Sequence, residues 1–504
     1  MSTKLQTVHV RVNDAQTGQP TPVRVRFTDA AGNYYAPFGR LSEFATGVNQ
    51  DVGGNLQLGK AKYAVIDGTC EVALPPGPIT IDIKKGFEYR PLHEEVHLGP
   101  GQLSLRFNLE RWLDLRSEGW HSGDGRAHFL SPQAALLEGA AEDLAVVNLL
   151  ALHWQPQAME PSLPNLLAFS GQQAALESSG HMVAVNTLNT SALGNLTLLN
   201  CHRVVHPLHF EGIDWALADW CGQCHRKAGL VSWPEHDSWP LIREDDFVSE
   251  GLIDLILGKV DALEVDLLPW TAEDALDWYT LLNAGLRIPL LGASRKKTNT
   301  TVLGCVRTYA HLGEPGAFTY KNWIEAVRAG RTFVTNGPIL DFTINGHGPG
   351  STVEVPAETR TMHVRAHARS LVPFNRLEVI HNGAVVAEQH VTGTPTETIL
   401  DSELPIPESG WWAARCWGDH HVQTSICPQP ASAHTSPIYV YFGNKPIVPQ
   451  SEAVQEVIDH CQRFGKMLER LDRQGRFASE ADRQRVAGLF HEARAVLQAK
   501  LKGI

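Results

Sequence analysis

The sequence predicts a multidomain α/β plus β protein, in which an α/β domain lies between two β domains and is followed by a helical tail. Length is the first observation, because 504 residues at about 150 residues per domain suggest roughly three domains. The second is a change of pattern, from alternating strands to strands separated by helices and back to strands. The third is an amphipathic helical pattern near the carboxyl end.

The first predicted domain, residues 1–110, has the pattern of a small antiparallel β-sandwich. Period-two runs such as VHVRV and VRVRF are separated by the turn sequences DAQTGQP and DAAGN. Further strands are predicted around residues 80–84 and 103–109. Successive side chains of a strand point to opposite faces, so such runs bury one face and expose the other.

The second predicted domain, residues 111–335, alternates apolar strands with helical stretches, which is typical of a mainly parallel sheet. The alternating pattern of β-strands returns in residues 336–445, where RLEVIHNGAVVAEQHV contains a good hairpin turn. This favours a second β-sandwich. Residues 446–504 predict a helical hairpin. Its first helix carries apolar residues at i, i+3, i+4 and i+7, and Ser479 is placed to cap its second helix.

Composition limits the class of protein. The formal net charge of −12 is unfavourable for nonspecific nucleic-acid binding, which needs an excess of cations. Apolar runs fall short of the ~18 residues that a membrane helix needs, and the amino terminus has no export signal. Eight scattered cysteines are typical of reduced thiols. We therefore expect a cytoplasmic protein whose partner is a small molecule, with no nucleic acid and no membrane; the oligomeric state is not predicted.

The densest polar cluster is the run WHSGDGRAH, which opens the α/β domain. Residues two apart on a strand share a face, so Asp124, Arg126 and His128 are predicted to project together. His121, in the same run, is a candidate for substrate binding. The alternative is a loop whose polar residues satisfy one another.

Other candidate residues follow later strands, where α/β folds collect functional groups. Glu235 and His236 come directly after the strand GLVSW, and Glu264 lies in the strand ALEVD. His181 begins a strand, where a histidine is more often a satisfied core residue. The basic triplet that begins with Arg295 and Lys296 is either a solvated face or an anion site, since arginine offers a bidentate fork to carboxylate or phosphate.

A C-x-x-C-H motif at Cys221, Cys224 and His225 has the form of a c-type haem attachment signature. It lies within an amphipathic helical pattern, without an export signal or a second pair of ligands at zinc-site spacing. We therefore interpret the two cysteines as core residues.

Several segments, in order, carry a resemblance to a known family. They are GWHSGDGRAHFLSPQAALLEGAAEDLAVVNLL, GH, LVSWPEH, GKVDALEV, WYTLLNAGLRIPLLGAS, LGCVRTYA, WIEAVRAGRTFVTNGPIL and AHTSPIYV. Over nearly its whole length the chain resembles the CehA/McbA-like metallohydrolases of the PHP (polymerase and histidinol phosphatase) superfamily. The resemblance implies a distorted β/α barrel whose divalent metals, Zn, Mn or Fe, activate water to cleave ester, carbamate, amide or phosphoester bonds.

The resemblance also implies metal ligands, and the chain departs from that pattern. His128 and His181 match expected ligand histidines, whereas Arg126 stands where the first histidine of a GD-x-H-x-H strand is expected. Glu235 precedes a displaced His236, and the G-x-D aspartate falls at or beside Arg295. The carboxylate expected before GH is missing, with Gln172, Gln173 or Glu177 nearest in sequence. A guanidinium cannot ligate a cation and repels it.

Four hypotheses follow. The first is a hydrolase with at most one metal, held by His128, His181 and His236 with Asp124 or Glu264 in support; Glu235 and His236 then serve catalysis beside Arg126 and Arg295. The second is a pseudo-hydrolase without metal that binds an anionic small molecule through Arg126 and Arg295, with Lys296 in support. The third is metal-free catalysis by Glu235 or His236. The fourth is a buried ion network among Arg126, Arg295, Asp124, Glu264 and Asp266.

Overall fold

The protein is described from a computed structural model. The description covers residues 5–47, 52–152, 164–208, 212–234, 249–265, 272–313, 318–391, 396–422 and 428–503. Glu235, His236 and Asp266 lie outside these ranges.

The amino-terminal region consists of two sheets around one apolar core. Its strands are β1 (Gln6–Asp14), β2 (Val23–Asp29), β3 (Asn55–Leu58), β4 (Ala61–Ile66), β5 (Thr69–Leu74), β6 (Gly77–Lys84), β7 (Leu92–Leu98) and β8 (Ser104–Leu109). One sheet has the order β5-β1-β8 and the other β3-β4-β2-β6-β7. Val8, Val10 and Val12 of β1 are fully buried in their shared core, as the alternating pattern predicts.

The central region contains helices that connect strands of one curled sheet. Its strands are β9 (Trp120–Ala127), β10 (Val146–Leu152), β11 (Leu176–Ser178), β12 (His181–Ser191), β13 (Gly194–Leu199), β14 (Leu230–Trp233), β15 (Ala262–Val265), β16 (Leu290–Gly292), β17 (Arg307–His311) and β18 (Thr332–Thr335). Its helices are α1 (Pro132–Ala141), a short 3-10 turn (Pro164–Phe169), α2 (Leu217–Arg226), α3 (Gly251–Ile256), α4 (Ala272–Asn283) and α5 (Tyr320–Arg328).

The curled sheet brings its two ends together. From β16 the order runs through β15, β14, β13, β12 and β10 to β9, with parallel pairing except on either side of β13. The chain after β16 then returns to β9, because Lys296 forms a parallel bridge with Ala127. The His128 backbone N–H donates to the Lys296 carbonyl at 2.8 Å. Residues from β9, β15 and the segment after β16 are therefore neighbours.

The carboxyl-terminal β region continues the same sheet. Its strands are β19 (Ile339–Ile344), β20 (Thr352–Val355), β21 (Thr361–Arg369), β22 (Arg376–His381), β23 (Ala384–His390), β24 (Glu397–Pro405), β25 (Gly410–Val422), β26 (Gln429–Thr435) and β27 (Ile438–Phe442). From β9 the large sheet runs through β17 and β18 to β26, β25, β22 and β23. The strands β19, β21 and β24 form a separate sheet over a shared apolar core.

Two long helices, α6 (Ser451–Arg473) and α7 (Glu480–Lys502), follow this region. The apolar stripe of α6, which includes Val454, Phe464 and Leu471, is buried in one core with α2, α3 and α4. Ser479 caps α7 by accepting from the Asp482 backbone N–H at 3.2 Å, as the sequence predicts. In the described ranges no helix has the length and apolarity to span a membrane.

Candidate functional site

Arg126 lies at the carboxyl end of β9 and faces Glu264 of β15. The Arg126 Nε is 2.5 Å from Glu264 Oε1, and both side chains are almost completely buried. The Thr197 hydroxyl of β13 donates to the other carboxylate oxygen at 3.3 Å. The predicted metal-supporting role of Glu264 is thus replaced, in the structure, by an ion pair across the inside of the curled sheet. This pair matches one part of the buried ion network that the sequence left open.

Two nitrogens of the Arg126 guanidinium lack a well-formed hydrogen bond. Nη2 is buried and has no hydrogen-bond partner within the described residues, and Nε contacts Glu264 without good hydrogen-bond geometry. A buried N–H without an acceptor is costly and in native proteins usually indicates a water, an ion or a ligand. Arg126 therefore keeps a donor available.

Asp124 is fully buried and accepts hydrogen bonds from the segments around it. Its oxygens accept from the Ser294 backbone N–H at 2.9 Å, the Ser294 hydroxyl at 2.5 Å and the Gly304 N–H at 2.8 Å. The Arg126 N–H donates at 3.0 Å. Burial raises the pKa of Asp124, and these hydrogen bonds oppose the rise. Asp124 thus fixes the loops after β16 to β9, which differs from the predicted role as a metal ligand.

A bulge alters the predicted common face of β9. Asp124 pairs with Val147 and Ala127 pairs with Leu149, so three steps on β9 match two on β10. A Cβ added to Gly125 would lie 2.9 Å from Leu291 Cγ, so this position favours glycine where β9 meets β16. The strict alternation assumed for Asp124, Arg126 and His128 therefore does not extend through the strand.

His128 follows Ala127, the last residue of β9, and is fully buried. Burial lowers the pKa of its imidazole well below the usual range, and the charges of Arg126, Lys297 and Arg295 lower it further. The Leu150 backbone acts weakly in the opposite direction. Within the described chain neither ring nitrogen has a partner with hydrogen-bond geometry. His128 is thus a neutral imidazole beside cations, with one nitrogen able to donate and one able to accept.

The three basic side chains after β16 point to two different sides of the segment that carries them. Arg295, which has a positive φ of 50°, and Lys297 lie close enough to His128 to lower its pKa. Lys296 is completely buried and points to α1, where its Nζ is 3.4 Å from Glu138 Oε2. The same Nζ donates to the Thr301 carbonyl at 2.6 Å. Lys296 thus binds α1 and the loop on the side away from Arg126 and His128, and its predicted role in substrate binding stays a prediction.

His181 and His121 lie at the opposite end of the sheet from His128. Met182 pairs with Val146, which pairs with Gly123, so His181 is level with the start of β9. Its Nδ1 is 2.6 Å from the Leu144 carbonyl. Burial lowers the pKa of both histidines to about 4. The structure therefore does not bring the two predicted ligands His128 and His181 together.

His121 is also separate from Arg126. It stacks on Phe318 at 4.4 Å between ring centroids, and its carbonyl accepts from the Trp323 indole at 3.1 Å. These contacts come from α5 and the residues preceding it, which pack at the amino end of β9. The predicted substrate-binding role of His121 at the arginine cluster is not supported by this placement.

A buried amide network that the sequence analysis missed lines the inside of the sheet. Asn148 of β10 donates to the Asp124 carbonyl at 2.9 Å, and its Oδ1 accepts from Asn186 at 3.0 Å and from the Tyr320 hydroxyl at 2.6 Å. The sequence contains a sign of this network, because VVNLL and MVAVNTLN each place an asparagine within an apolar strand. An amide buried there is costly unless it is hydrogen-bonded.

The C-x-x-C-H motif lies in α2, with Cys221 and Cys224 fully buried, in agreement with their interpretation as core residues. Cys224 Sγ is 3.4 Å from Cys201 Sγ, and His225 contacts Asp261 at 2.9 Å.

The residues at the carboxyl end of β9 do not fit a divalent metal. Arg126 is a permanent cation that cannot ligate a metal, Glu264 is engaged by that arginine, and His128 lies among cations. Across the described residues, no three His, Cys, Asp or Glu side chains are grouped so that they could hold a metal ion. Glu235 and His236, the other predicted ligands, are not part of that description.

Comparisons with known proteins identify no family for this chain. No family model matches the chain, and no curated protein matches it. One solved structure is a two-domain protein from Bacteroides vulgatus ATCC 8482 that contains a predicted PHP-like metal-dependent phosphoesterase. It is 11% identical, covers 63% of this chain and 95% of its own, and superposes with a TM-score of 0.34. A superposition of that quality carries no conclusion about family or activity.

Proposed function

We propose that the chain is a CehA/McbA-like protein of the PHP superfamily in which an arginine has replaced metal ligation, and that it binds a small anionic molecule at the carboxyl end of β9. One observation carries the proposal. The Arg126 Nη2 and the His128 imidazole are buried, and neither has a partner with good hydrogen-bond geometry in the described chain. A carboxylate or phosphate accepts from the guanidinium N–H and from the one N–H of the neutral imidazole together, which would satisfy both donors.

Electrostatics supports the same ligand. The pKa of His128 is lowered by Arg126, Lys297 and Arg295, so the local potential is positive although Glu264 offsets part of it. Charges interact more strongly away from water, so an anion is attracted here and a divalent cation is repelled. This favours the pseudo-hydrolase hypothesis over the single-metal hydrolase.

The test combines ligand binding with the titration of His128. We expect phosphate or sulfate to raise the melting temperature by several degrees and to raise the pKa of the His128 imidazole, followed by NMR, because a bound anion offsets the neighbouring cations. Arg295→Ala should weaken both effects. Arg360→Ala, an exposed arginine of the carboxyl-terminal β region, is the matched control and should leave them unchanged.

Measuring the metal content of the purified protein can contradict the proposal. Stoichiometric Zn, Mn or Fe that is lost in His128→Gln, with a lower melting temperature after chelation, would restore the single-metal hydrolase. Turnover of anionic ester, carbamate or phosphate substrates that is insensitive to chelators and lost in Arg126→Ala would instead identify a metal-free catalyst.

A further inference from the structure

A second concave site lies where the amino-terminal, central and carboxyl-terminal regions meet. The cavity has a volume of about 400 Å³, within the range of small-molecule sites, which often form at junctions of this kind. Its floor comes from β2, from the end of β6 and from Glu142, the residue after α1. Its opposite wall comes from residues 371–373 and 420–422. None of its lining residues belongs to the site at the end of β9.

The floor of this junction cavity is fixed by several contacts. The Arg24 Nε is 3.0 Å from Glu142 Oε1, and both side chains are buried. Lys85 Nζ donates to the Ala140 carbonyl at 2.5 Å and to the Pro22 carbonyl at 3.0 Å. Gly86 has a φ of 50° and lies against the Glu142 carbonyl, so closely that an added Cβ would clash with it. The cavity is therefore largely preformed.

Cations outnumber carboxylates on this floor. Arg24, Lys84 and Lys85 line the cavity, and Glu142 is the one carboxylate among its described lining residues. Glu142 is already engaged by Arg24. The Lys84 Nζ has no hydrogen bond or ion pair in the described chain, although it lies 5.9 Å from the centre of the Tyr63 ring.

The two lysines are held at an energetic cost that an anion would relieve. Burial lowers the pKa of Lys84, and the charge of Arg24 lowers it further, while the carboxylates of Asp82 and Glu142 oppose the shift only in part. Burial lowers the pKa of Lys85 to about 8, and two of its three donors are used by carbonyls. A bound anion would accept from the Lys84 ammonium and reduce the repulsion between Lys84 and Arg24.

Part of the remaining lining is apolar, beside the polar residues Tyr89 and Asn336. Phe87, Leu371, Val372 and Pro373 line it, so a ligand that fills it needs a hydrophobic part beside its charge. Two further residues at the rim, His420 and His421, are exposed and can contact the charged group or solvent.

From this arrangement we propose that the junction cavity is a binding site for a small amphipathic anion, a carboxylate or phosphate monoester that carries one ring or branched alkyl group. The charged group contacts Lys84 on the floor, and the apolar part packs between Phe87 and the segment 371–373.

Isothermal titration of the full-length protein tests this site. Benzoate and phenyl phosphate are the probes, benzamide is the neutral equivalent, and inorganic phosphate lacks the ring. We expect both aromatic anions to bind at least about tenfold more tightly than benzamide and than inorganic phosphate. Lys84→Gln, which removes the charge and keeps a polar end group, should weaken binding of the aromatic anions about tenfold, whereas the same change at Lys466, an exposed lysine of α6, should not.

Two further variants assign the result to this cavity. Val372→Phe, which fills the cavity without changing charge, should abolish the preference for the aromatic anions over inorganic phosphate. Arg295→Ala, at the end of β9, should leave that preference intact. The proposal is overturned if no probe binds, if benzamide binds as well as benzoate, or if Lys84→Gln and Lys466→Gln behave alike. Binding that is lost only in Arg295→Ala would also overturn it, because it would assign the anion to the other site.

Discussion

The end of β9 and the junction cavity both bury cations, but they differ in what faces those cations. At the end of β9, Arg126 faces Glu264 inside the curled sheet, and Lys296 faces Glu138 of α1 on the other side. At the junction, Lys84 faces no carboxylate within ion-pair distance in the described chain, and Lys85 is bonded only to carbonyl oxygens. A paired buried cation stabilises its partner, whereas an unmatched one costs free energy in the absence of an anion. The same residue types therefore have opposite effects on stability in the two regions.

The strongest test of this difference is removal of Arg126. Arg126→Met leaves the completely buried Glu264 without its cation, and we expect a loss of ~3–5 kcal/mol in the free energy of unfolding. The double variant Arg126→Met/Glu264→Gln should recover a large part of this loss, because no buried charge remains. Urea unfolding followed by tryptophan fluorescence measures both. A small loss in the single variant would mean that the ion pair does not stabilise the fold.

The second test uses the pH dependence of the free energy of unfolding, to which the buried Lys85 at the junction contributes. Burial lowers the pKa of Lys85 to about 8 in the folded protein, whereas its ordinary value, which applies to the unfolded chain, is 10.5. Between these values the unfolded state binds more protons, so the contribution of Lys85 to stability rises with pH, by at most ~1.4 kcal/mol per pH unit. Below pH 8 both states are protonated and this contribution is constant.

Lys85→Met should remove that slope, measured as the urea midpoint across the alkaline window. Lys466→Met, which changes an exposed lysine of α6, should keep it. Equal slopes in the wild type and in Lys85→Met would show that the buried ammonium does not titrate in this window.

The smallest expected effect has the opposite sign from the first. Lys84→Met removes an unmatched, half-buried cation, and we expect a gain of ~0.5 kcal/mol in stability together with loss of the proposed ligand. Calorimetry without ligand and titration with benzoate measure the two consequences. A clear loss of stability would mean that the contact of Lys84 with Tyr63 outweighs the cost of its charge.

Local patterns of the sequence predicted much of the secondary structure. The valines of β1, the stripe of α6 and the cap at Ser479 follow from periodicity and from side-chain chemistry at a helix end. These features depend on neighbours within a few residues, so they can be read along one strand or helix.

The site was harder to predict because it depends on register. Spacing along β9 could not show that Met182, the residue after His181, is level with Gly123 and so far from His128, nor that a bulge interrupts the strand. Lys296 points to α1 because the segment after β16 returns beside Ala127, a contact between distant parts of the chain. The junction cavity has no local motif at all, since its floor and wall come from three separated regions.

The continuous sheet from β9 to β23 also determines how a ligand would enter the junction cavity. The curled sheet and the wall strand β25 are joined through β17, β18 and β26, so the hydrogen-bonded ladder fixes the wall to the central region. The floor strands β2 and β6 belong to a separate sheet, but the Arg24–Glu142 ion pair and the Lys85–Ala140 hydrogen bond fix them to the same central region. Hinge closure, by which many proteins enclose a ligand, would have to break these contacts. Stopped-flow association should therefore follow one exponential phase whose rate increases linearly with ligand concentration, without a slow isomerisation step.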